Sequence, residues 1–422
     1  MKFNRRKLLS AATAASVFQI VPRRLLGGEG YTAPSNELTR GIIGCGGMGN
    51  GHMRYRGSRV LALSDVKQGS LNAGINKFKA KKQHVDGYAD FRDMLARPDI
   101  DIISVVTPPH WHGTMAILAA EAGKDVWCEK PMTRTIGEGQ RLVDACRRNG
   151  TILRINTWFR MTGNFYGMGA PVKQVKKAVD SGMLGWPLTV TVGSGQGFAW
   201  KHNWKGKPLQ EAQEIPGHTD YDMWLGPAPL KPFTHDRTSP NFRGYWDYDG
   251  GGLGDMAMHY LDPVQHFLGK DKTSPIKVEV MTDDQHPDAV GPWKRVTLTY
   301  ADGCKIVLDG DGSLKNDPYI QGSKGKIDRG FQSDIPDFHR KLAAIPDPVD
   351  LNSDFHVNVK NRQKFPLNEV NGHRSCTLVN LSKIGLRLNR TLHYDPIKEV
   401  FIKDDAANRY IHQPMRAPWN LI

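Results

Sequence analysis

The 422-residue chain has no apolar run long enough to cross a bilayer, which takes about 20 consecutive residues. A multi-span membrane protein is excluded on that ground. A hydrophobic share of 39% against 24% charged residues also excludes a disordered chain. Cysteine is scarce: Cys45, Cys128, Cys146, Cys304 and Cys376 form an odd set with no short spacing between any two. They build neither a zinc knuckle nor a disulfide framework, and they read as reduced, packed thiols. Despite a net charge of +14, no run of Lys and Arg interleaved with aromatics occurs, and no nucleic-acid module signature. Lys2, Arg5, Arg6, Lys7, Arg23 and Arg24 against Glu29 concentrate part of that charge near the start. The remaining +9 is dispersed, as on a solvated basic surface or one that attracts anionic substrates generally. A nucleic-acid partner is not expected.

What is present begins with an address. Asn4-Arg5-Arg6-Lys7-Leu8-Leu9-Ser10 precedes a mildly apolar run from Ala11 to Val21, the composition of a twin-arginine signal. The expectation is an exported, periplasmic protein with no membrane span in its mature chain. Twin-arginine export carries folded proteins, which suits a protein that acquires a nucleotide cofactor inside the cell. No clean A-x-A precedes Tyr31. The length predicts two domains, and the divisions expected are 1–33 as signal and linker, 34–160 as a dinucleotide-binding domain and 161–422 as a second domain.

Arg40-Gly41-Ile42-Ile43 reads as a short buried strand running into Gly44-Cys45-Gly46-Gly47-Met48-Gly49, a G-x-G-x-x-G loop. About 20 residues on, Val60 to Ser64 forms a second apolar run that ends in Asp65, where a doubly wound fold places its ribose-binding acid. Gly44 permits the tight turn, Gly46 lets backbone approach a pyrophosphate, and Gly49 allows close helix–strand packing. Asp65 would accept hydrogen bonds from ribose hydroxyls and repel a 2′-phosphate, so NAD is favoured over NADP, with Lys67 pulling the other way. Asp101 to Thr107 is a nearly continuous β-branched run, as in a parallel strand covered on both faces. A helix is expected from Gly113 to Ala122, a strand over Asp125–Cys128, and a helix opened by a capping box at Thr135 and Glu138 and closed near Gly150. Ligands of such sheets bind beyond the carboxyl ends of the strands. There stand the glycine loop with Gly47 and Met48, then Asp65, Thr107, Pro108, His110, His112, Glu129 and Lys130, all taken as cofactor contacts.

With Thr107-Pro108-Pro109-His110-Trp111-His112, Glu129-Lys130-Pro131 and Gly250-Gly251-Gly252-Leu253-Gly254-Asp255-Met256-Ala257-Met258-His259 in this order, the chain resembles the Gfo/Idh/MocA oxidoreductases from about residue 38 onward. The resemblance implies an N-terminal Rossmann domain and a C-terminal α/β domain with a large, open, mostly antiparallel sheet. It also implies a homodimer or homotetramer joined through that sheet, a carbohydrate or polyol substrate, and a Lys-Pro peptide that is often cis. It places Lys130, Asp255 and His259 around the reacting carbinol as catalytic residues.

Oxidising a secondary alcohol requires hydride to leave carbon while a base takes the hydroxyl proton. Asp255 and His259, four apart, share a helix face, so the carboxylate can orient the imidazole. His259 is the natural base near neutral pH, and Lys130 can hydrogen-bond the same oxygen. Which of the two takes the proton is open at this level. A bland reading exists for each: a surface lysine, a helix cap, a core histidine. Their company with the glycine loop argues against it. His110 and His112 read as cofactor or substrate contacts rather than metal ligands, since no further ligand set converges by spacing. Trp186, Trp200, Trp204, Trp224 and Trp246 stand in a stretch rich in Gly, Pro and His that reads as long loops. They stack on sugar faces or pack beneath the loops. Arg160, Tyr245, Trp246 and His259 are the substrate candidates, with Asp262 behind them.

Three functions compete. The first is a nicotinamide-dependent oxidoreductase acting on a sugar, polyol or glycoside. The second is a glycoside-cleaving enzyme that oxidises, eliminates and re-reduces on tightly bound NAD. Export favours it, whereas the tyrosine- and histidine-bearing loop of the family's glycosidases is not found. The third is a silent sugar-binding protein, against which Lys130, Asp255 and His259 all argue.

Overall fold

The computed structural model describes residues 37–161 and 165–420. The segments Asn4–Ser10 and Ala11–Val21, on which the export expectation rests, lie outside the described residues. No helix among those described is long and apolar enough to cross a membrane.

The first layer is a six-stranded parallel sheet in the order β3-β2-β1-β4-β5-β6. Its strands are β1 (Thr39–Ile43), β2 (Arg59–Ser64), β3 (Asp86–Tyr88), β4 (Ile102–Val105), β5 (Asp125–Glu129) and β6 (Leu153–Asn156). Ile102, Ile103 and Val105 are fully enclosed, because helices cover both faces of a sheet wound this way. Each such side chain contributes about 1.5–3 kcal/mol of burial. Helices α1 (Gly47–His52), α2 (Gln68–Lys79), α3 (Phe91–Leu95), α4 (His112–Glu121) and α5 (Ile136–Asn149) make the crossovers. The capping box is present: Thr135 Oγ1 accepts from the Glu138 amide at 3.2 Å while Glu138 Oε2 accepts from the Thr135 amide at 3.1 Å.

A second sheet of nine strands follows in the order β13-β12-β11-β7-β10-β9-β8-β14-β15. The strands are β7 (Thr189–Gly193), β8 (Lys277–Met281), β9 (Arg295–Thr299), β10 (Lys305–Asp309), β11 (Ile320–Gln321), β12 (Lys326–Asp328), β13 (Gln332–Ser333), β14 (Leu392–Asp395) and β15 (Val400–Phe401). All its pairings are antiparallel except β7 with β10, so the sheet is open and mostly antiparallel, as the resemblance implies. Helix α6 (Val172–Asp180), the almost wholly buried α7 (Gly251–Phe267) and α8 (Glu369–Leu388) complete the packing. Helix α7 matters most for function, since it delivers Asp255 and His259 toward the carboxyl edge of the parallel sheet.

Candidate active site

The glycine loop turns directly out of β1. Gly44 has φ +99°, and a Cβ there would lie 2.5 Å from the Val106 carbonyl oxygen, so only glycine fits. A Cβ on Gly49 would strike the Gly44 carbonyl, which is the close packing its spacing predicts. Gly46 and Gly47 face open space, and half-exposed Met48 stands on the rim. Asp65 follows β2 and braces this loop: its carboxylate accepts from the Cys45 amide at 2.7 Å and the Lys67 amide at 2.8 Å. Burial raises its pKa, against the pull of those amides. Lys67 Nζ donates to the Thr238 carbonyl at 2.9 Å, so it ties the domains together rather than waiting for a 2′-phosphate. The cleft has a volume of about 350 Å³, and Thr107, Pro108, Glu129 and Lys130 line it beside the loop.

Glu129 and Lys130 end β5 with opposite assignments. Glu129 is buried, takes His52 Nε2 at 2.9 Å and Asn156 Nδ2 at 2.5 Å, and so fixes α1 and β6 to the strand end. Burial works against its charge, but His52 and Lys130 hold its pKa below the usual value. Lys130 precedes a cis peptide to Pro131. Its Nζ lies 2.9 Å from the Asp255 carbonyl and 2.9 Å from Asp255 Oδ2. The other Asp255 oxygen accepts from Arg243 Nε at 3.0 Å. Although burial opposes ionisation, Lys130 and Arg243 keep Asp255 below its ordinary pKa. Behind it lies Asp249, which is buried, has no hydrogen-bond partner for either oxygen among the described residues, and is pushed well up by burial and by Asp255.

His259 sits one turn after Asp255, but Asp255 does not orient it. The carboxylate points to Lys130 and Arg243, and the imidazole Nδ1 is held by Thr157 Oγ1 at 2.8 Å. Burial first, then the charge of Lys130, lowers the His259 pKa to about 3, so the ring is neutral. The i, i+4 spacing correctly placed both residues on one face, but could not show that two cations from elsewhere compete for the carboxylate. His259 is not part of the cofactor cleft lining, whereas Asp255 and Arg243 are.

Several expected contacts are structural instead. His110 is fully enclosed, its Nε2 on the Trp224 carbonyl at 2.9 Å, its ring against Trp224 and Tyr248. Burial holds its pKa at about 3, and it does not reach the cleft. His112 lines the cleft, yet both ring nitrogens face protein carbonyls, Pro131 at 2.7 Å and Thr107 at 2.8 Å. It therefore braces the strand ends rather than pointing at a cofactor. Arg160 is not a substrate group: it is buried between Asp262 and Asp271. Tyr245 is enclosed with its hydroxyl on Asp236 at 2.6 Å, and Trp246 is buried with its indole N–H on the His286 carbonyl at 3.1 Å. Neither can meet a substrate. Trp200 and Trp224 are likewise buried, so packing beneath the loops accounts for most of that aromatic cluster. Arg243, Thr157, Asp249 and exposed Trp158 were missed. Each owes its place to tertiary approach, and the sequence signals none of them.

Comparison with known proteins agrees with the fold. A model described as "Oxidoreductase family, NAD-binding Rossmann fold" matches residues 38–157, and one described as "Oxidoreductase family, C-terminal alpha/beta domain" matches residues 168–421. The chain is 29% identical over 158 residues to inositol 2-dehydrogenase of Salmonella typhimurium, covering 36% of this chain and 44% of that enzyme. It is 30% identical over 172 residues to a glycosyl hydrolase family 109 protein of Shewanella pealeana, covering 35% and 38%. Both alignments thus span less than half of the relative's length. Among solved structures, the WlbA dehydrogenase of Bordetella pertussis in complex with NADH and UDP-GlcNAcA shares the fold with a TM-score of 0.58 at 19% identity, over 85% of this chain and 98% of that one.

Proposed function

The chain belongs to the Gfo/Idh/MocA oxidoreductase family, and on that premise we propose that it moves hydride between NAD and a secondary alcohol of a sugar, polyol or glycoside. One observation carries the reading. Lys130, at a strand end in the NAD cleft, is ion-paired to Asp255 from the second domain, and an uncharged His259 lies one helical turn farther on. The turn from Gly44 to Gly49 and Asp65 would hold the dinucleotide, and the residues fit it: the open faces of Gly46 and Gly47 leave room for backbone to approach phosphate. Bound nicotinamide supplies a hydride acceptor for the carbinol carbon.

The division of labour follows from charge. Lys130 is a cation held by a carboxylate, so it donates a hydrogen bond to the alcohol oxygen and stabilises negative charge there. His259 is neutral, with Thr157 Oγ1 on Nδ1; in the tautomer whose Nδ1–H donates to that hydroxyl, Nε2 is the nitrogen that takes the proton. An alcohol losing hydride becomes a strongly acidic protonated carbonyl, so even a base of depressed pKa accepts its proton. Lys130→Ala and His259→Ala are each expected to lower turnover at least roughly a hundredfold, read as NADH formation with a panel of sugars and polyols. Near wild-type turnover in both variants removes them from the mechanism.

A second reading, glycoside cleavage with recycled NAD, is supported by the family 109 relative. Release of aglycone from aryl glycosides without NADH accumulation would select it. Twin-arginine export is proposed from Arg5 and Arg6 and the mildly apolar run from Ala11 to Val21, and retention of Arg5→Lys/Arg6→Lys protein inside the cell would support it. A homodimer or homotetramer through the nine-stranded sheet is proposed from its partly exposed outer face, with Lys277, Glu279, Thr297 and Thr299. Sedimentation velocity reads it directly.

A further inference from the structure

Both domains line the cofactor cleft. Besides Asp65, the position at which a doubly wound fold holds the ribose, the lining takes Thr238, Ser239, Pro240 and Phe242 from the second domain. These four belong to a stretch, residues 218–243, that is fastened to the first domain at two places. The outer fastening grips the turn that follows Asp65. Thr219 faces Lys67 in an isolated antiparallel bridge. There the Gln68 amide donates to the His218 carbonyl and the Asp220 amide to the Val66 carbonyl, both at 3.2 Å. Lys67 Nζ adds its bond to the Thr238 carbonyl at 2.9 Å. Gln68, His218 and Asp220 are all exposed, so water competes for these bonds.

The inner fastening is buried. The Trp111 indole N–H donates to the carbonyls of Met223 and Trp224 at 3.1 and 3.0 Å, and His110 Nε2–H donates to the Trp224 carbonyl at 2.9 Å. Gly226, at φ +51°, lies so close to the Trp111 ring that a Cβ would stand 2.0 Å from its nearest atom. Arg416 adds bonds to the carbonyls of Asp222 at 2.6 Å and Gly226 at 3.1 Å. Enclosed bonds are costly to open, whereas exposed ones open locally at little cost. The stretch is therefore anchored at Trp111 and releasable at Lys67.

We propose that residues 218–243 are a clasp over the dinucleotide: Thr238, Ser239 and Phe242 hold NAD from the second domain, and the cofactor enters and leaves when the Lys67 fastening opens. The proposal uses the dinucleotide site alone and is independent of which alcohol reacts. Exchange is then limited by opening rather than by the contacts to NAD.

The test follows NADH bound to the full-length protein, chased with excess NAD and read by nicotinamide fluorescence. Gln68→Pro removes the amide that bonds His218 and keeps α2, because proline is tolerated at the first helical position. Lys67 is already extended, at φ −99° and ψ 104°, as a following proline requires. Release and association are both expected to quicken about fivefold, the worth of one hydrogen bond, with Kd little changed. Lys67→Cys/Thr219→Cys makes the opposite change. Paired residues of such a bridge stand about 4.5 Å apart at Cα, within disulfide reach, and the five native cysteines are buried. Oxidised after loading, this variant should keep its NADH through a chase that empties the reduced form. Free-thiol titration reports the disulfide, and the melting temperature reports the fold. Equal release from the oxidised and reduced forms overturns the proposal. So does a Gln68→Pro variant whose release is unchanged, or quickens while association does not. A wild type that binds no NADH would overturn the dinucleotide site and the clasp with it.

Discussion

Replacing Arg160 by leucine is expected to unfold the second domain more readily without touching the chemistry. The Arg160 guanidinium bonds Asp262 through Nε at 3.0 Å and Nη2 at 2.5 Å, and Asp271 through Nη1 at 2.9 Å and Nη2 at 3.0 Å. Its side chain and that of Asp262 are almost wholly buried, while Asp271 keeps 29% of its side chain exposed. Burial works against the arginine's charge, and the two carboxylates outweigh it and raise its pKa above the usual value. Without the guanidinium, Asp271 can turn to water and keeps His266 at 3.2 Å. Asp262 retains only the Ser375 hydroxyl at 2.9 Å. Breaking a buried pair while leaving its partner enclosed costs about 3–5 kcal/mol. At roughly 2–4 °C per kcal/mol for a domain of this size, the melting temperature should fall by about 6–20 °C. Because apolar replacement of a whole buried pair is often nearly neutral, Arg160→Leu/Asp262→Leu should recover most of that loss. Thermal melts followed by circular dichroism, with NADH kinetics on the folded fraction, read both quantities. A raised KM at an unchanged melting temperature would refute the argument and return Arg160 to the substrate.

Other perturbations follow from the same geometry. Asp255→Asn leaves Lys130 and Arg243 facing a neutral amide, and turnover should fall about a hundredfold while NAD still binds by calorimetry. Loss of NAD binding as well would show the carboxylate acting on the cofactor half. Gly49→Ala drives a methyl into the Gly44 carbonyl and should weaken NAD at least about tenfold, at a cost of about 1–3 kcal/mol in overpacking; an alanine variant with normal NAD affinity contradicts the close approach. Acid should destabilise the protein from near neutrality. Burial holds His110 and His259 at about 3 and His356 at about 4, while an unfolded histidine titrates near ~6.5. Below that value the unfolded chain binds protons that the folded one refuses, so stability falls with pH. Asp271 and Glu399, each lowered to about 2 against the effect of burial by histidine and arginine partners, add stability above about pH 4 that is lost as pH falls toward 2. A melting temperature that stays flat between pH 7 and 5 would contradict this account.

Much of the first domain was legible because its signals are local. The glycine loop, Asp65, the β-branched run of β4 and the Thr135–Glu138 capping box each depend on residues near one another in the chain. Strand β3, three residues with an Asp-Gly pair, carries no such pattern and exists because β2 offers it an edge. The site was legible in part for the same reason. The family resemblance implied that Lys130 and Asp255 are neighbours, and they are ion-paired, but the competition of Arg243 for Asp255 and of Thr157 for His259 is a matter of approach over many residues. Arg160, Tyr245 and Trp246 were misjudged because polar and aromatic residues near a site look alike in sequence whether they meet substrate or one another. Only burial separates the two cases.

The central claim is that hydride leaves a carbinol carbon, held by Lys130 and His259, for NAD in the adjoining cleft, whether the net reaction is redox or glycoside cleavage. Incubating NAD-loaded protein with carbon-deuterated myo-inositol and methyl glucosides, then weighing the extracted nucleotide, tests it most directly. Deuterium in the nicotinamide with the wild type, and none with Lys130→Ala, is the expected result. Conversion of substrate with no label in the nucleotide of acid-quenched single turnovers, in which reduced nicotinamide is caught before any re-reduction of the product, would contradict it.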